Sequence, residues 1–319
     1  MYVQVLTFLN EEKMNKVTVF APATVANVNC GFDTLGFALE GVGDEMTLIK
    51  VPEKTITITS IDGADLPLET EKNVAGVAGL AMLNHLKLDY GFTITIKKGI
   101  PIGSGIGGSA ASAAAAVFAI NQFIDQPLSL QQLAVFGMKG ETVASGSEHA
   151  DNVAPSLFGG FTLIPGYNPF EVIALPVPSE LFVAIIHPHI EIKTKEAREI
   201  LPKEVPLKKA IEQSGNLAGF VSALYTDNYA LLSRSCKDVL VAPHRKQLIP
   251  HFDTAKNMAL NNGALAFGIS GSGPSLFSLC RGELKAKEIA EKLKILYQNN
   301  NLEVDTIVSK VSEHGARVL

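Results

Sequence analysis

Residues 99–124 carry no charge, and they fall into two unlike halves, the glycine-rich GIPIGSGIGGS and the alanine-rich AASAAAAVFAI. A run of that length can cross a bilayer. Its proline, five glycines and many alanines give a transfer free energy far weaker than that of a leucine-rich span. The run therefore reads as a loop feeding a small-residue helix that packs tightly against other protein.

Elsewhere the composition is that of an ordinary folded chain. With 319 residues, 47% hydrophobic and 18% charged, it can bury one or two cores. A net charge of -5 supplies no basic field, which argues against nucleic acid or an anionic membrane as partner. Cys30, Cys236 and Cys280 are too few and scattered for a disulfide framework, and no CxxC or HExxH pattern appears. A reduced, cytoplasmic setting follows. The first residues, MYVQVLTFLNEEKMNK, lack a basic start and a long apolar stretch, so no signal peptide is expected.

Residues 17–22 read as a strand, followed by the irregular TVANVNCGFDTLG and then by FALEGVGDEMTLIKV. KTITITSI and GFTITIKKGI alternate as half-buried antiparallel strands do, with a helix over 73–86 between them. A helix from 129 and a polar turn at 145–147 follow the alanine helix. Four prolines between Pro165 and Pro178 mark the best boundary, giving domains 1–168 and 169–319. Beyond it come a strand, three helical stretches over roughly 194–262, two strands about a glycine turn, an amphipathic helix and a closing strand. That is a ferredoxin-like split βαβ order with inserted helices.

The loop satisfies GxGxxG at Gly103, Gly105 and Gly108, with Asp125 at about the right distance for a dinucleotide site. The context is wrong, because Asp125 follows the alanine helix with no room for a second strand. A Walker A loop is excluded by the missing lysine. Two readings remain: a phosphate cradle of backbone N–H groups at the start of a helix near Ser109, or a tight turn between packed elements. A second glycine loop, GISGSGPS (268–275), reads alone as a hairpin turn.

Three segments together, PATVANVNCGFDTLGFAL, PIGSGIGGSAAS and GISGSGPSLF, resemble the GHMP kinases. The central segment departs from the usual GLGSSAAS at Ile106 and Gly108 and keeps its serine, Ser109. Within that superfamily GETVASGSEHADNVAPSLFGG, IKTKEAREILP and APHRKQLIP are most similar to homoserine kinases. The resemblance implies an α+β fold of two domains, an N-terminal S5 domain 2-like ATP-binding domain and a C-terminal ferredoxin-like domain. It implies transfer of the ATP γ-phosphate to the hydroxyl of L-homoserine, with Mg²⁺, on the way to threonine. The family habit suggests a homodimer.

The residue roles come by the same resemblance. Asn27 and Asp33 match the residues that receive the hydroxyl end and the amino group. His149 and Asn152 approach the substrate, and share a face if EHADN is helical. Arg198 and Arg245 offer forked donors for the carboxylate; Thr194 faces the ligand with Arg198 or caps the next helix. Ser109 and Glu141 hold Mg²⁺. The nucleotide meets Pro101, Ile102, Gly103, Ser104, Gly105, Ile106, Gly107, Gly108, Ser109 and Ala110, with Asn73 and Lys98 at its base. Asn27, Asn152, Ser109 and Glu141 form the catalytic set, for direct in-line transfer without a strong base. Another GHMP kinase, or a silent ATP- or metabolite-binding regulator, is the alternative reading.

Overall fold

The computed structural model describes residues 15–146 and 148–319; the N-terminal segment read for a signal peptide, and Ser147 of the expected polar turn, lie outside them. In chain order the first part builds β1 (Lys16–Ala26), β2 (Leu35–Val51), β3 (Ile56–Asp62), α1 (Val74–Leu86), β4 (Gly91–Lys97), α2 (Gly108–Asn121), α3 (Leu130–Ser145), α4 (Val153–Phe158), β5 (Phe161–Tyr167) and β6 (Phe170–Leu175). The second part builds β7 (Leu181–Pro188), α5 (Thr194–Glu199), α6 (Leu207–Tyr225), α7 (Tyr229–Ser235), α8 (Ala242–Arg245), α9 (Phe252–Asn261), β8 (Ala266–Ile269), β9 (Leu276–Arg281), α10 (Glu283–Gln298), β10 (Val304–Lys310) and β11 (Arg317–Val318).

Among the described residues, the first sheet runs β11-β1-β2-β4-β3, with β5 added to the start of β2 and β6 to β5. Strand β4 lies antiparallel to β2, but β3 and β4 run parallel, joined through α1. Alternation suggests antiparallel strands, which holds for β4 against β2 and fails for β3. It reports one buried face and is silent on strand direction. The expected domain boundary at 168/169 falls in the β5–β6 hairpin turn, so strand pairing carries the first sheet on to Leu175.

The alanine helix is buried on nearly all sides, with Ala110 to Val117 inaccessible or almost so. Small side chains let three helices approach closely: a Cβ on Gly140 of α3 would lie 2.4 Å from the Val74 carbonyl oxygen of α1 and 3.1 Å from Ala113 Cβ of α2. A helix that is apolar all round has no solvent face, and here protein covers each side.

The second sheet runs β10-β7-β9-β8, every neighbour antiparallel, which is the ferredoxin-like split βαβ arrangement. Helices α5 to α9 fill 194–261 where the sequence suggests three stretches, because short breaks at 200–206, 226–228, 236–241 and 246–251 interrupt the run. The two sheets share a core. Phe37 of β2 packs on Phe161 of β5 at 5.0 Å between ring centroids and edge-on to Phe277 of β9 at 6.4 Å, while Phe161 meets Phe220 of α6 at 5.7 Å. All four rings are fully buried. No helix among the described residues is long and apolar enough to cross a membrane.

Candidate active site

The three glycine- and asparagine-rich segments, distant in sequence, meet at one cleft. The Ile106 carbonyl accepts from Thr24 N–H at 3.0 Å, Ser270 Oγ donates to the Gly105 carbonyl at 2.7 Å, and Ser275 N–H donates to the Ser104 carbonyl at 3.2 Å. The cleft they border has a volume of about 620 Å³.

One wall is the turn after β1. Asn27, Val28, Asn29 and Asp33 all have positive φ, at 70°, 41°, 57° and 58°. Asparagine and aspartate tolerate that conformation, but a β-branched valine does so at a cost of about 1–3 kcal/mol. Side chains and backbone lock the turn in place. Asn29 Nδ2 donates to the Phe267 and Cys236 carbonyls at 3.0 and 3.1 Å, Gln213 Nε2 donates to Cys30 O at 3.0 Å, and Asn27 Nδ2 donates to Gly271 O at 2.9 Å. Asn27 Oδ1 in turn accepts from Asp33 N–H at 3.0 Å.

Opposite the turn stand two arginines. Arg198 Nη1 and Nη2 grip both carboxylate oxygens of Asp33, at 3.1 and 2.6 Å. Arg245 is buried, and donates through Nε to Ala197 O at 2.9 Å and through Nη1 to Gly271 O at 3.0 Å. Both guanidinium carbons lie near the Phe32 ring, 5.3 and 5.1 Å from its centroid. Thr194 is the first residue of α5, with Lys193 as the cap; its hydroxyl lies 3.3 Å from Ser272 Oγ.

At the other wall α2 begins. Its N-cap is Gly107 and no side chain caps it, so the first-turn N–H groups and the positive dipole end are available to an anion. Ser109 Oγ donates to Glu141 Oε2 at 3.1 Å. Gly107 sits at φ 73°, and an added Cβ would lie 2.0 Å from Thr24 Oγ1 and 2.9 Å from Asn152 Oδ1. Those two atoms are themselves hydrogen-bonded at 2.7 Å. Gly107→Ala is thus expected to cost about 1–3 kcal/mol of stability. Thermal melts check it; a parent-like Tm would refute the strain argument.

Residues 72–160 match the family model for the GHMP kinases N terminal domain, and residues 220–299 match that for GHMP kinases C terminal. A homoserine kinase from Chlorobium phaeovibrioides is 42% identical, with 96% of this chain and 100% of that protein covered. The chain belongs to the homoserine kinase family. The crystal structure of homoserine kinase from Cytophaga hutchinsonii matches at TM-score 0.91 and 44% identity, covering all of both chains. The Methanococcus jannaschii mevalonate kinase shares the fold alone, at TM-score 0.66 and 17% identity over 97% of this chain and 99% of that one. A fold common to kinases of different alcohols leaves substrate choice to the cleft side chains.

Most of the residues singled out from the sequence line this cleft: Asn27, Asp33, Asn73, Lys98, Pro101 to Gly105, Gly107 to Ser109, Glu141, His149, Asn152, Thr194, Arg198 and Arg245. Ile106 and Ala110 do not. Both side chains are fully buried in the core, and only their backbones belong to the loop. Residues 148–150 are irregular and a turn precedes α4, so EHADN is not helical; His149 and Asn152 reach the cleft from the turn instead. Asn73 caps α1, its Oδ1 accepting from Ala75 N–H at 3.0 Å. Lys98 is buried beneath the loop, paired with Asp44, and has no N–H left for a base.

Sequence reasoning missed Asp151, which lines the cleft and is buried. Burial first, then the charges of Asp33 and Glu141, push its carboxyl up to about 7. Burial likewise raises Glu141 to about 7, against the opposing hydrogen bond from Ser109 and the charge of Lys98. His149 is lowered by burial, and its Nε2 is enclosed without a hydrogen bond among the described residues. Two crowded carboxyls whose ionisation is resisted make a place that favours a cation. No pattern in the sequence marks Asp151, since its burial depends on β2, where a Cβ on Gly36 would lie 1.9 Å from the Asp151 carbonyl oxygen.

Proposed function

We propose that this protein transfers the γ-phosphoryl group of ATP to the side-chain hydroxyl of L-homoserine, giving O-phospho-L-homoserine in the cytoplasmic route to threonine. The observation that carries this reading is the Asp33–Arg198 pair in the same cleft as an uncapped helix start. A zwitterion presents both partners at once, an ammonium for Asp33 and a carboxylate for Arg198 and Arg245, so it replaces the pair without stranding either charge.

The phosphates of ATP fit the first-turn N–H groups of α2 and the backbone of residues 101–109. Leu66, Pro67, Val74 and Ile96 give the same cleft an apolar lining suited to a flat base. Among the described residues no cluster of three metal-ligating side chains occurs. That suits Mg²⁺, which keeps several waters and takes one or two protein oxygens beside those of a phosphate. Glu141 and Ser109 would hold it. When bound, the ion neutralises charge on the transferring group.

The chain's own groups then position the reactants. Asp33, Arg198 and Arg245 hold the amino-acid end, Asn27 and Asn152 face the hydroxyl, and the α2 N–H groups stabilise the charge on the equatorial oxygens. Phosphoryl transfer needs little from a base. The hydroxyl attacks in line and its proton leaves to the phosphate or to solvent. The test is ADP release with homoserine, serine, threonine, mevalonate and galactose. Homoserine is expected to be preferred by about 10²-fold or more; turnover on mevalonate but not homoserine would sink the reading.

A further inference from the structure

A buried ion pair lies beneath the glycine loop. Asp44, on β2, is fully inaccessible, and the Lys98 side chain that meets it is only 4% exposed. Lys98 Nζ pairs with Asp44 Oδ2 and also donates to the Gly108 carbonyl at 2.9 Å and to Ser112 Oγ at 3.0 Å. Asp44 Oδ1 accepts the N–H groups of Gly99 and Ile100 at 3.1 and 3.3 Å, and Oδ2 accepts from Ser112 Oγ at 2.8 Å. The contacts therefore reach both ends of the loop, residues 99–100 at its entry and Gly108 and Ser112 at its exit.

We propose that Asp44 and Lys98 are positioning residues for the nucleotide, a clamp that ties the two ends of the glycine loop together and thereby aims the first-turn N–H groups of α2. The inference takes from the proposed function only that this loop holds the nucleotide. A loop with glycines at 103, 105 and 107 in left-handed conformation has few side chains with which to fix itself. Thr24, Ser270 and Ser275 hold its middle at the carbonyls of Ile106, Gly105 and Ser104, and its two ends are held from below by Asp44 and Lys98. A buried ion pair adds little stability over an apolar pair of the same volume. An apolar pair, however, leaves the N–H groups of Gly99 and Ile100 without this acceptor and the Gly108 carbonyl without its lysine. All three N–H donors of Lys98 are used and Asp44 cancels its charge, so Lys98 acts on the nucleotide through the loop and not by touching it.

The test is equilibrium titration with Mg-ATP and Mg-GTP, alongside steady-state kinetics, for Asp44→Asn, Lys98→Met and the double variant. Each single change is expected to weaken Mg-ATP binding roughly ten- to a hundred-fold while the KM for homoserine stays within about two-fold. The double variant is expected to be no worse than the weaker single, since both act through one loop. The ratio of ATP to GTP affinity should not move. A lowered Tm with unchanged Mg-ATP affinity marks a purely structural pair and overturns the proposal. So does a changed ATP to GTP ratio in Lys98→Met alone, which marks a direct base contact. Should the charged-pair variants fail to fold, Ser112→Ala removes only the bridging hydroxyl; an expected loss of about three-fold in Mg-ATP affinity supports the clamp, and no loss refutes it. If the parent binds Mg-ATP but does not phosphorylate homoserine, the proposed function fails and the clamp is still decided by the titrations.

Discussion

Glu141→Gln is expected to lower kcat for phosphoryl transfer by roughly 10²–10³ and, without divalent cations, to make the folded chain more stable above pH 7. Glutamine keeps the shape and can still accept from Ser109 Oγ, which lies 3.1 Å from Glu141 Oε2. What it removes is the charge. In the folded chain burial holds the carboxyl at about 7, against an ordinary 4.5. Between those values the folded chain keeps a proton that the unfolded chain has lost, so stability falls as pH rises from about 4.5 to about 7. Asp151, raised from 3.8 to about 7, adds a slope of the same sign. A glutamine does not titrate, so its variant loses the Glu141 share of that decline. The measurement is Tm against pH in EDTA for both proteins, with kcat from ADP release in Mg²⁺. A variant that melts lower than the parent at pH 8, or turns over at the parent's rate, contradicts the assignment.

The sequence made the loop and helix legible because residues 99–124 lack charge altogether, and a helix without a polar face has one fate in a folded chain. The split βαβ order was legible for a similar reason: strands and the amphipathic α10 alternate with clear periods over 266–310. Other features depended on contacts between distant segments. Asp44 lies in a strand and Lys98 just after one, with the look of surface charges, and their burial is decided by a meeting across 54 residues. Val28 gives no sign that it takes φ 41°, because the turn is imposed by Gln213, Cys236 and Phe267 from the other half of the chain. The candidate site residues were reached by motif resemblance. Their convergence rests on carbonyls such as those of Gly105 and Gly271, which no residue type announces.

Asp33→Asn and Arg198→Ala should each raise the KM for homoserine about 10²-fold and leave the KM for ATP within about two-fold. Each removes one half of a bidentate pair whose contacts are 3.1 and 2.6 Å. The remaining half then meets the ligand's opposite charge but leaves the ligand's other charge unmatched in a partly desolvated cleft. Arg245 does not substitute for Arg198, because its Nε and Nη1 are committed to Ala197 O and Gly271 O. The two variants also separate anchoring from proton transfer. If Asp33 anchors the ammonium, kcat at saturating homoserine changes by less than about ten-fold in Asp33→Asn, since in-line attack needs the hydroxyl placed and not deprotonated beforehand. Loss of kcat with an unchanged KM would instead make Asp33 the proton acceptor. Asp151 provides the internal control: it lies near enough for the Asp33 charge to raise it, so Asp33→Asn should move the Asp151 carboxyl back toward its ordinary value of 3.8. A titration of the variant that shows no such movement would mean that the Asp33 carboxylate does not set the field in this cleft.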